Sequence, residues 1–434
     1  MIAALLLTLQ VAGSGLGAGA VTTQDFAADT IPEVTLAEAL DASAQVDPNY
    51  VNALRGIGDA TWVRRGAWTA FLLPSVNFQW SFSQFSPESF NIGTNTLTDR
   101  LTQFTLSANY DLFRGGAKFS DLAGSAAAVD GARASELQVR YQTAFATEAD
   151  YYDVIAQRQL RGVAQERVRR ATEQLEIARA RVLSGAAVQT DSLQLLLELT
   201  RAQVDLLRQG SALRVSRLQL GRRIGRAGPV DAAVPDTEEP LQLPLSLESA
   251  VAEATRTSPS LLVARTDARL AEAAFKSERA TYLPTISLFG QYSGFDEDFV
   301  PNATTRTTVG IGLSYPLFDG GGRQLRVYRA STARKVADAI AADAELAAAR
   351  DITEAYETYT TARASTELAE RGVAVATENE RVQSERYRAG ATTIIDLITA
   401  QVDLAVAEAD LVQARYSTRL ALAGVEAILG RRLF

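Results

Sequence analysis

The chain has 434 residues, a formal net charge of −8, one Met and neither Cys nor His. That composition excludes imidazole and thiol catalysis, disulfides, most transition-metal centres and a lipid anchor on an N-terminal Cys. The acidic balance argues against nucleic acid, which is bound by a basic face.

Residues 1–20 open with an apolar run from Ile2 to Val11 and end Ala18-Gly19-Ala20, the small-x-small pattern of a signal-peptide cleavage site, although the positive n-region is missing. No later stretch reaches 18 uninterrupted apolar residues, so no second helical span is expected. Residues 35–70 read as helix, with Thr35 and Glu38 as a capping box and Asp47-Pro48 as an early interruption. Leu73-Pro74 stops it.

After Pro74 the apolar period changes from 3.6 to 2. Val76, Phe78, Trp80 and Phe82 alternate with small polar residues, and so do Phe104, Leu106, Ala108, Tyr110 and Leu112. Residues 86–100 are polar and read as a loop. Strands with an aromatic-rich apolar face and a small, mostly uncharged polar face fit a membrane barrel with a wet interior; a half-buried hairpin in a soluble sheet is the blander alternative.

Gly115-Gly116 turns strand into helix, and residues 117–184 carry no Pro, which predicts a rod of about 100 Å, far beyond globular length. Gly185 ends it. A helix over 192–222 follows, with Leu199, Leu206, Leu213 and Leu220 at heptad spacing. The Pro-rich, acidic residues 226–245 read as a linker. The order then repeats. Ser258-Pro259 answers Asp47-Pro48, and Leu283-Pro284 answers Leu73-Pro74. Strands follow through Ile286, Leu288 and Tyr292, with Phe289 breaking the pattern, and through Val309, Ile311 and Leu313. Gly320-Gly321 is the second corner, 322–389 the second long helix, and Gly390 its end. After Gly390, Leu404, Leu411, Thr418 and Val425 renew the heptad. Each lies 205 residues beyond its counterpart, as Gly390 lies beyond Gly185 and Asp396 beyond Asp191. Turn, carboxylate and heptad sharing one offset mark an internal duplication. The predicted units are a first repeat over 21–225 (hairpin 74–113) and a second over 246–434 (hairpin 284–318, last helix 392–430).

Four strands cannot close a barrel, and open edges in lipid leave backbone groups unpaired. Each subunit must therefore supply a sector. A dimer would give eight strands and a trimer twelve, and periodicity does not choose. Stacked end to end, the two shorter helices of each repeat match one long helix, so a tube of helices should hang beneath the tube of strands. Gly320-Gly321-Gly322-Arg323 opens a helix as a phosphate loop would, but it lacks the Lys-Ser/Thr ending and its twin at 115–116 marks it as a corner. No enzyme activity and no cofactor is expected. A structural coiled-coil protein of the envelope is the alternative to a transport role, and the alternating strands argue against it.

The duplicated order, the corner Tyr315-Pro316-Leu317-Phe318-Asp319-Gly320-Gly321 and the stretch from Tyr387 to Leu397 resemble the TolC-type outer-membrane efflux proteins over essentially the whole mature chain. The resemblance implies an α+β membrane protein of the bacterial outer membrane. It implies a homotrimer with a twelve-stranded β-barrel, four strands per subunit, continued by a periplasmic α-helical barrel of long coiled-coil helices. It implies a periplasmic membrane-fusion adaptor and an inner-membrane pump of the RND (resistance-nodulation-division) or ABC type as partners, in efflux or type I secretion. The turns at Gly185 and Gly390 would be the adaptor-docking tips. A closed periplasmic entrance would be held by Tyr387 with Asp191, helped by Thr190 and Thr392, and ringed by Asp396. The family's tip arginine is Thr392 here and a second ring carboxylate is Thr399, so the charged link between subunits is missing.

Overall fold

The computed structural model describes residues 31–91, 96–234, 243–296 and 304–433. The leader expected over 1–20 lies outside them, as does the middle of the expected linker. Two architectures are joined end to end: one four-stranded antiparallel sheet and a set of very long helices.

The chain enters through β1 (Glu33–Val34) and α1 (Leu36–Val46), which Thr35 and Glu38 start with the expected capping box. Asp47 closes α1 and caps α2 (Pro48–Leu72), accepting from the N–H groups of Asn49 and Tyr50. The hairpin β2 (Ser75–Asn91) and β3 (Thr96–Arg114) leads into α3 (Ala117–Leu183) and α4 (Gln189–Arg223). Then come β4 (Asp231–Ala232), α5 (Leu247–Thr257), α6 (Pro259–Ala280), β5 (Thr285–Asp296), β6 (Thr304–Ser314), α7 (Gly322–Arg388) and α8 (Ile394–Leu429).

Several boundaries differ from expectation. Residues 86–91 and 96–100, expected as loop, are strand: Ser89 pairs with Thr98 and Phe90 with Leu97, beyond a register shift between Gln84 and Ser89. A ladder of backbone bonds does not need apolar side chains, so the first hairpin outlasts its alternating stretch. β6 stops at Ser314, short of 318, because Pro316 has no N–H to donate and β6 has no further neighbour to pair with. Its counterpart β3 continues to Arg114 because Phe113 and Arg114 pair with Ile286 and Thr285. α4 begins at Gln189 rather than Ser192, and α8 at Ile394 rather than 392. The linker is partly structured, since β4 pairs parallel with β1 and buries Val230 and Ala232 in a core with Tyr151, Val154, Leu213 and Leu220.

The sheet order is β2-β3-β5-β6, so β2 and β6 each lack a neighbour on one side. Register places Val76, Phe78, Trp80, Leu106, Ala108, Leu288, Tyr292, Val309, Ile311 and Leu313 on one face, and Asn77, Gln79, Thr105, Ser107, Ser287 and Gln291 on the other. Phe289 sits on the polar face because its ring lies over a cross-strand glycine: a Cβ on Gly310 would come within 2.7 Å of it. Among the described residues the apolar face lies open along β6, where Val309 is 72 % and Leu313 69 % exposed. Ile311 is 70 % exposed, far from the condition of a soluble core.

Helices α3 and α7 each run 67 residues, about 100 Å, away from the sheet. The shorter helices stack into rods beside them. The end of α4 at Gly225 presses on Val46 of α1, and the end of α8 at Gly430 presses on Pro259 of α6. The rod of α6 and α8 lies between α3 and α7, and the rod of α2 and α4 lies on the far side of α3. Hence α3 carries buried residues along its whole length, from Ala117 to Ala178, while α7 buries none between Arg323 and Ala348 and α2 none at all. Of the leucine heptad in α4, Leu213 and Leu220 are buried, and the complementary buried series is Leu195, Ala202 and Ser216, in which Leu195 alone is large and apolar.

Candidate functional site at the hairpin tips

Both long helices end in the same backbone motif. Gly185 and Gly390 take φ of 78° and 75°. Ala186 N–H donates to the Arg181 carbonyl and Ala391 N–H to that of Arg386, each at 2.8 Å, the six-to-one bond of a glycine-terminated helix. Arg181 and Arg386 also reach forward to the carbonyls of Ala186 and Ala391, at 3.4 and 3.3 Å. The two tips thus match in side-chain contacts as well as in backbone.

The return helices start differently. Val188 offers α4 no side-chain cap. Thr393 caps α8, and Asp396 completes a capping box: its Oδ2 accepts from Thr393 Oγ1 (2.7 Å), Thr392 Oγ1 (2.9 Å) and Thr393 N–H (3.2 Å). Those donors, the Thr393 hydroxyl foremost, hold the exposed Asp396 carboxyl below its usual range. The cap therefore contributes to stability above about pH 4, where the unfolded carboxyl is charged, and is lost as pH falls through the depressed folded value. Thr392 was expected to assist Tyr387 and Asp191; it engages Asp396 within its own tip. Thr190 stands exposed in the first turn of α4.

Tyr387 is 2 % exposed. It sits in a core to which all four tip helices contribute: Leu175 and Ala178 of α3, Leu195 of α4, and Ile394 and Leu397 of α8. Burial, and then the Asp191 carboxylate, push its phenol pKa up, with Arg181 opposing. Asp191 is near enough to act on the phenol, yet the hydroxyl forms no hydrogen bond of ordinary geometry. The firm partner is one that the sequence reading missed. The Arg181 guanidinium stacks over the Tyr387 ring at 4.6 Å and donates to the Tyr387 carbonyl. The only sequence signal for it was the matched pair Arg181 and Arg386, each four residues before its glycine.

At the other end, Gly115, Gly116, Gly320 and Gly321 all have positive φ, between 60° and 89°. One residue into each long helix a cation sits over the corner tyrosine: Lys118 over Tyr110 at 4.1 Å and Arg323 over Tyr315 at 5.7 Å. Among the described residues no acidic cluster is arranged to hold a metal ion, and no helix is long and apolar enough to cross a membrane.

The profile of the outer membrane efflux proteins matches residues 64–226 and 250–431, one stretch in each repeat. The chain belongs to that family. Membership gives it an outer-membrane location and a channel fold. The outer membrane efflux protein BepC of Brucella suis biovar 1 is 26 % identical over 79 % of the chain and 76 % of its own length. The protein CyaE of Bordetella pertussis is 27 % identical over 93 % of the chain and 86 % of its own length. Among solved structures, a CusC crystal structure superposes with a TM-score of 0.80 at 16 % identity, covering 93 % of each chain. The open-state MtrE outer membrane channel of Neisseria gonorrhoeae gives 0.76 at 17 %, over 92 % of this chain and 89 % of its own.

Proposed function

We propose that three copies of this efflux-family chain close into a passive export duct, a twelve-stranded barrel in the outer membrane continued by a helical tube in the periplasm. The carrying observation is the pair of open edges. Within the chain β3 pairs with β5, and α3 lies between two rods; β6, β2, α7 and the α2–α4 rod each lack the second neighbour that the duplication assigns them. The next copy would supply it, in a head-to-tail contact that closes on itself. The count of three follows the family resemblance. The apolar face of the sheet then meets lipid and the polar face lines a wet pore.

The duct supplies no free energy. An inner-membrane pump of the RND or ABC type, joined through a periplasmic adaptor at the Gly185 and Gly390 tips, would drive efflux or type I secretion. The test is assembly with transport: purified protein should run as a heat-sensitive trimer and conduct in planar bilayers, and a monomer without conductance would refute the reading. Within that experiment, Gly185→Val and Gly390→Val should each abolish export while trimers remain. A Cβ on Gly185 would meet open space and one on Gly390 would come to ordinary contact, 3.5 Å, with the flexible Arg181 side chain, so the main cost is the left-handed backbone, about 1–2 kcal/mol confined to the tip. Export surviving both changes would show that the tips do not dock the adaptor.

Asp396 combines a helix cap with a place in the ring where three tips converge. Asp396→Asn keeps an acceptor for Thr392 and Thr393 and removes the charge. It should weaken block by multivalent cations from the periplasmic side, while thermal stability loses only the charge-dependent part of the cap. Unaltered block would make the carboxylate a cap and no more.

A further inference from the structure

We propose that the corner between β6 and α7 binds a phospholipid headgroup, with the Arg323 guanidinium taking the lipid phosphate between the rings of Tyr282 and Tyr315. The inference rests on the barrel proposed above and gives its periplasmic rim a ligand.

The first corner shows such a site closed. Tyr110 pairs with Leu288, which puts it on the apolar face of the sheet. Lys118, at the start of α3, lies 4.1 Å from the centre of that ring and 5.3 Å from that of Phe71. Its Nζ donates to the carbonyls of Phe71 and Asp111, at 3.0 and 2.8 Å, and the Tyr110 hydroxyl donates to the same Phe71 carbonyl at 2.8 Å. The chain itself satisfies this cation.

The second corner keeps the rings and loses the acceptors. Arg323 stands 205 residues after Lys118. Its guanidinium lies 5.5 Å from the centre of the Tyr282 ring and 5.7 Å from that of Tyr315. Arg323 is 6 % exposed, yet its Nε and Nη1 have no hydrogen-bond acceptor. Asp319 comes within 3.5 Å of Nε, but its Oδ2 accepts from the Arg323 backbone N–H at 2.8 Å and so caps α7. Arg326 approaches the same carboxylate at 3.9 Å and Glu278 at 3.4 Å. A buried guanidinium with idle donors is unfavourable. A phosphate, anionic and rich in acceptor oxygens, is the group that relieves it.

Placement names the source of the phosphate. Tyr315 follows Val309, Ile311 and Leu313 at the spacing of the apolar face, at the end nearest the helices, where barrel strands carry an aromatic girdle at headgroup depth. Tyr282 and Tyr315 are exposed, so what covers the guanidinium is a pair of surface side chains that can swing aside. Leu317 and Phe318 beside them are almost wholly exposed, apolar surface that acyl chains would cover and a free phosphate would not. Lys118 stays partly exposed although the end of α6 is seated against its corner, so the matching seam in the ring would leave the Arg323 site open.

The test starts from wild-type protein in a maltoside detergent that assembles and conducts, so the duct is checked before the site. Native mass spectrometry with added dioleoylphosphatidylglycerol should show one retained lipid per chain. Dioleoylglycerol, which lacks the phosphate, should not be retained. Arg323→Gln should weaken retention about tenfold or more, the scale of a hydrogen bond to a charged group, and Arg323→Lys should recover part of it. Arg114→Gln, at the first corner, should retain the lipid as wild type does. A conducting wild type that holds no lipid, equal retention of dioleoylglycerol, equal retention by Arg323→Gln or equal loss by Arg114→Gln would overturn the site and leave the duct standing. Inorganic phosphate displacing the lipid at equal concentration would make this a free-anion site and overturn the lipid assignment.

Discussion

Ile311→Arg should abolish accumulation of the protein in the outer membrane, while Ser107→Arg should leave it nearly intact. Ile311 sits mid-strand in β6 beside Val309 and Leu313, opposite Leu288, with its side chain largely exposed. A guanidinium on the lipid face of a barrel costs about 2–4 kcal/mol at the bilayer midplane. A trimer carries that cost three times around one barrel. Ser107 lies on the opposite face, where its hydroxyl leans on the Asn77 carbonyl at 3.4 Å and a longer polar side chain would extend into water. The readout is the heat-sensitive oligomer in outer-membrane fractions. Equal recovery of the two variants would reverse the assignment of faces, and the barrel would fall with it.

That the apolar and polar faces could be named from sequence at all reflects how little tertiary context an alternating strand requires. Its period of 2 is carried by its own residues, not by partners elsewhere in the chain. The long helices were legible for the opposite reason: from Ala117 to Leu183 no Pro interrupts, Gly124, Gly131 and Gly162 stay helical, and Gly185 takes the left-handed turn that ends the run. Legibility failed where backbone pairing or a single side chain decides. Residues 86–91 and 96–100 look like loop, yet the ladder carries them as strand. Asp231 and Ala232 look like linker, yet β1 recruits them. In α4 the leucine series shows half of a seam whose other half is Leu195, Ala202 and Ser216, too mixed in character to stand out. At the tips, Tyr387 was visible and its clamp was not, because one of many arginines in a charged helix has no local mark. Comparing the repeats position by position would have exposed Arg181, and also Lys118 with Arg323.

The same comparison yields a prediction that separates folding of the chain from assembly of the ring. Gly115 and Gly320 occupy equivalent corners with φ of 60° and 65°, so alanine pays a left-handed penalty of about 1–2 kcal/mol at either. Their surroundings differ. A Cβ on Gly115 would lie 2.2 Å from the Ala280 carbonyl oxygen and 3.0 Å from Leu283 Cβ, both at the end of α6. Neither can yield without moving the strand that follows, which adds about 1–3 kcal/mol of overpacking. Around Gly320 the chain leaves open space. If the proposed ring forms, Leu73-Pro74 of the next copy would take the place of Leu283-Pro284, and the carbonyl of Ala70 of the partner subunit would press on Gly320 as that of Ala280 presses on Gly115. Gly115→Ala should therefore lower the thermal stability of the chain itself, by about 2–5 kcal/mol in all. Gly320→Ala should leave a folded subunit that assembles poorly, giving monomer where wild type gives trimer by size-exclusion chromatography with light scattering. If Gly320→Ala trimerises as wild type does while Gly115→Ala fails to fold, the space beside Gly320 stays empty in the assembly, and the seam between subunits cannot be the image of the one inside the chain.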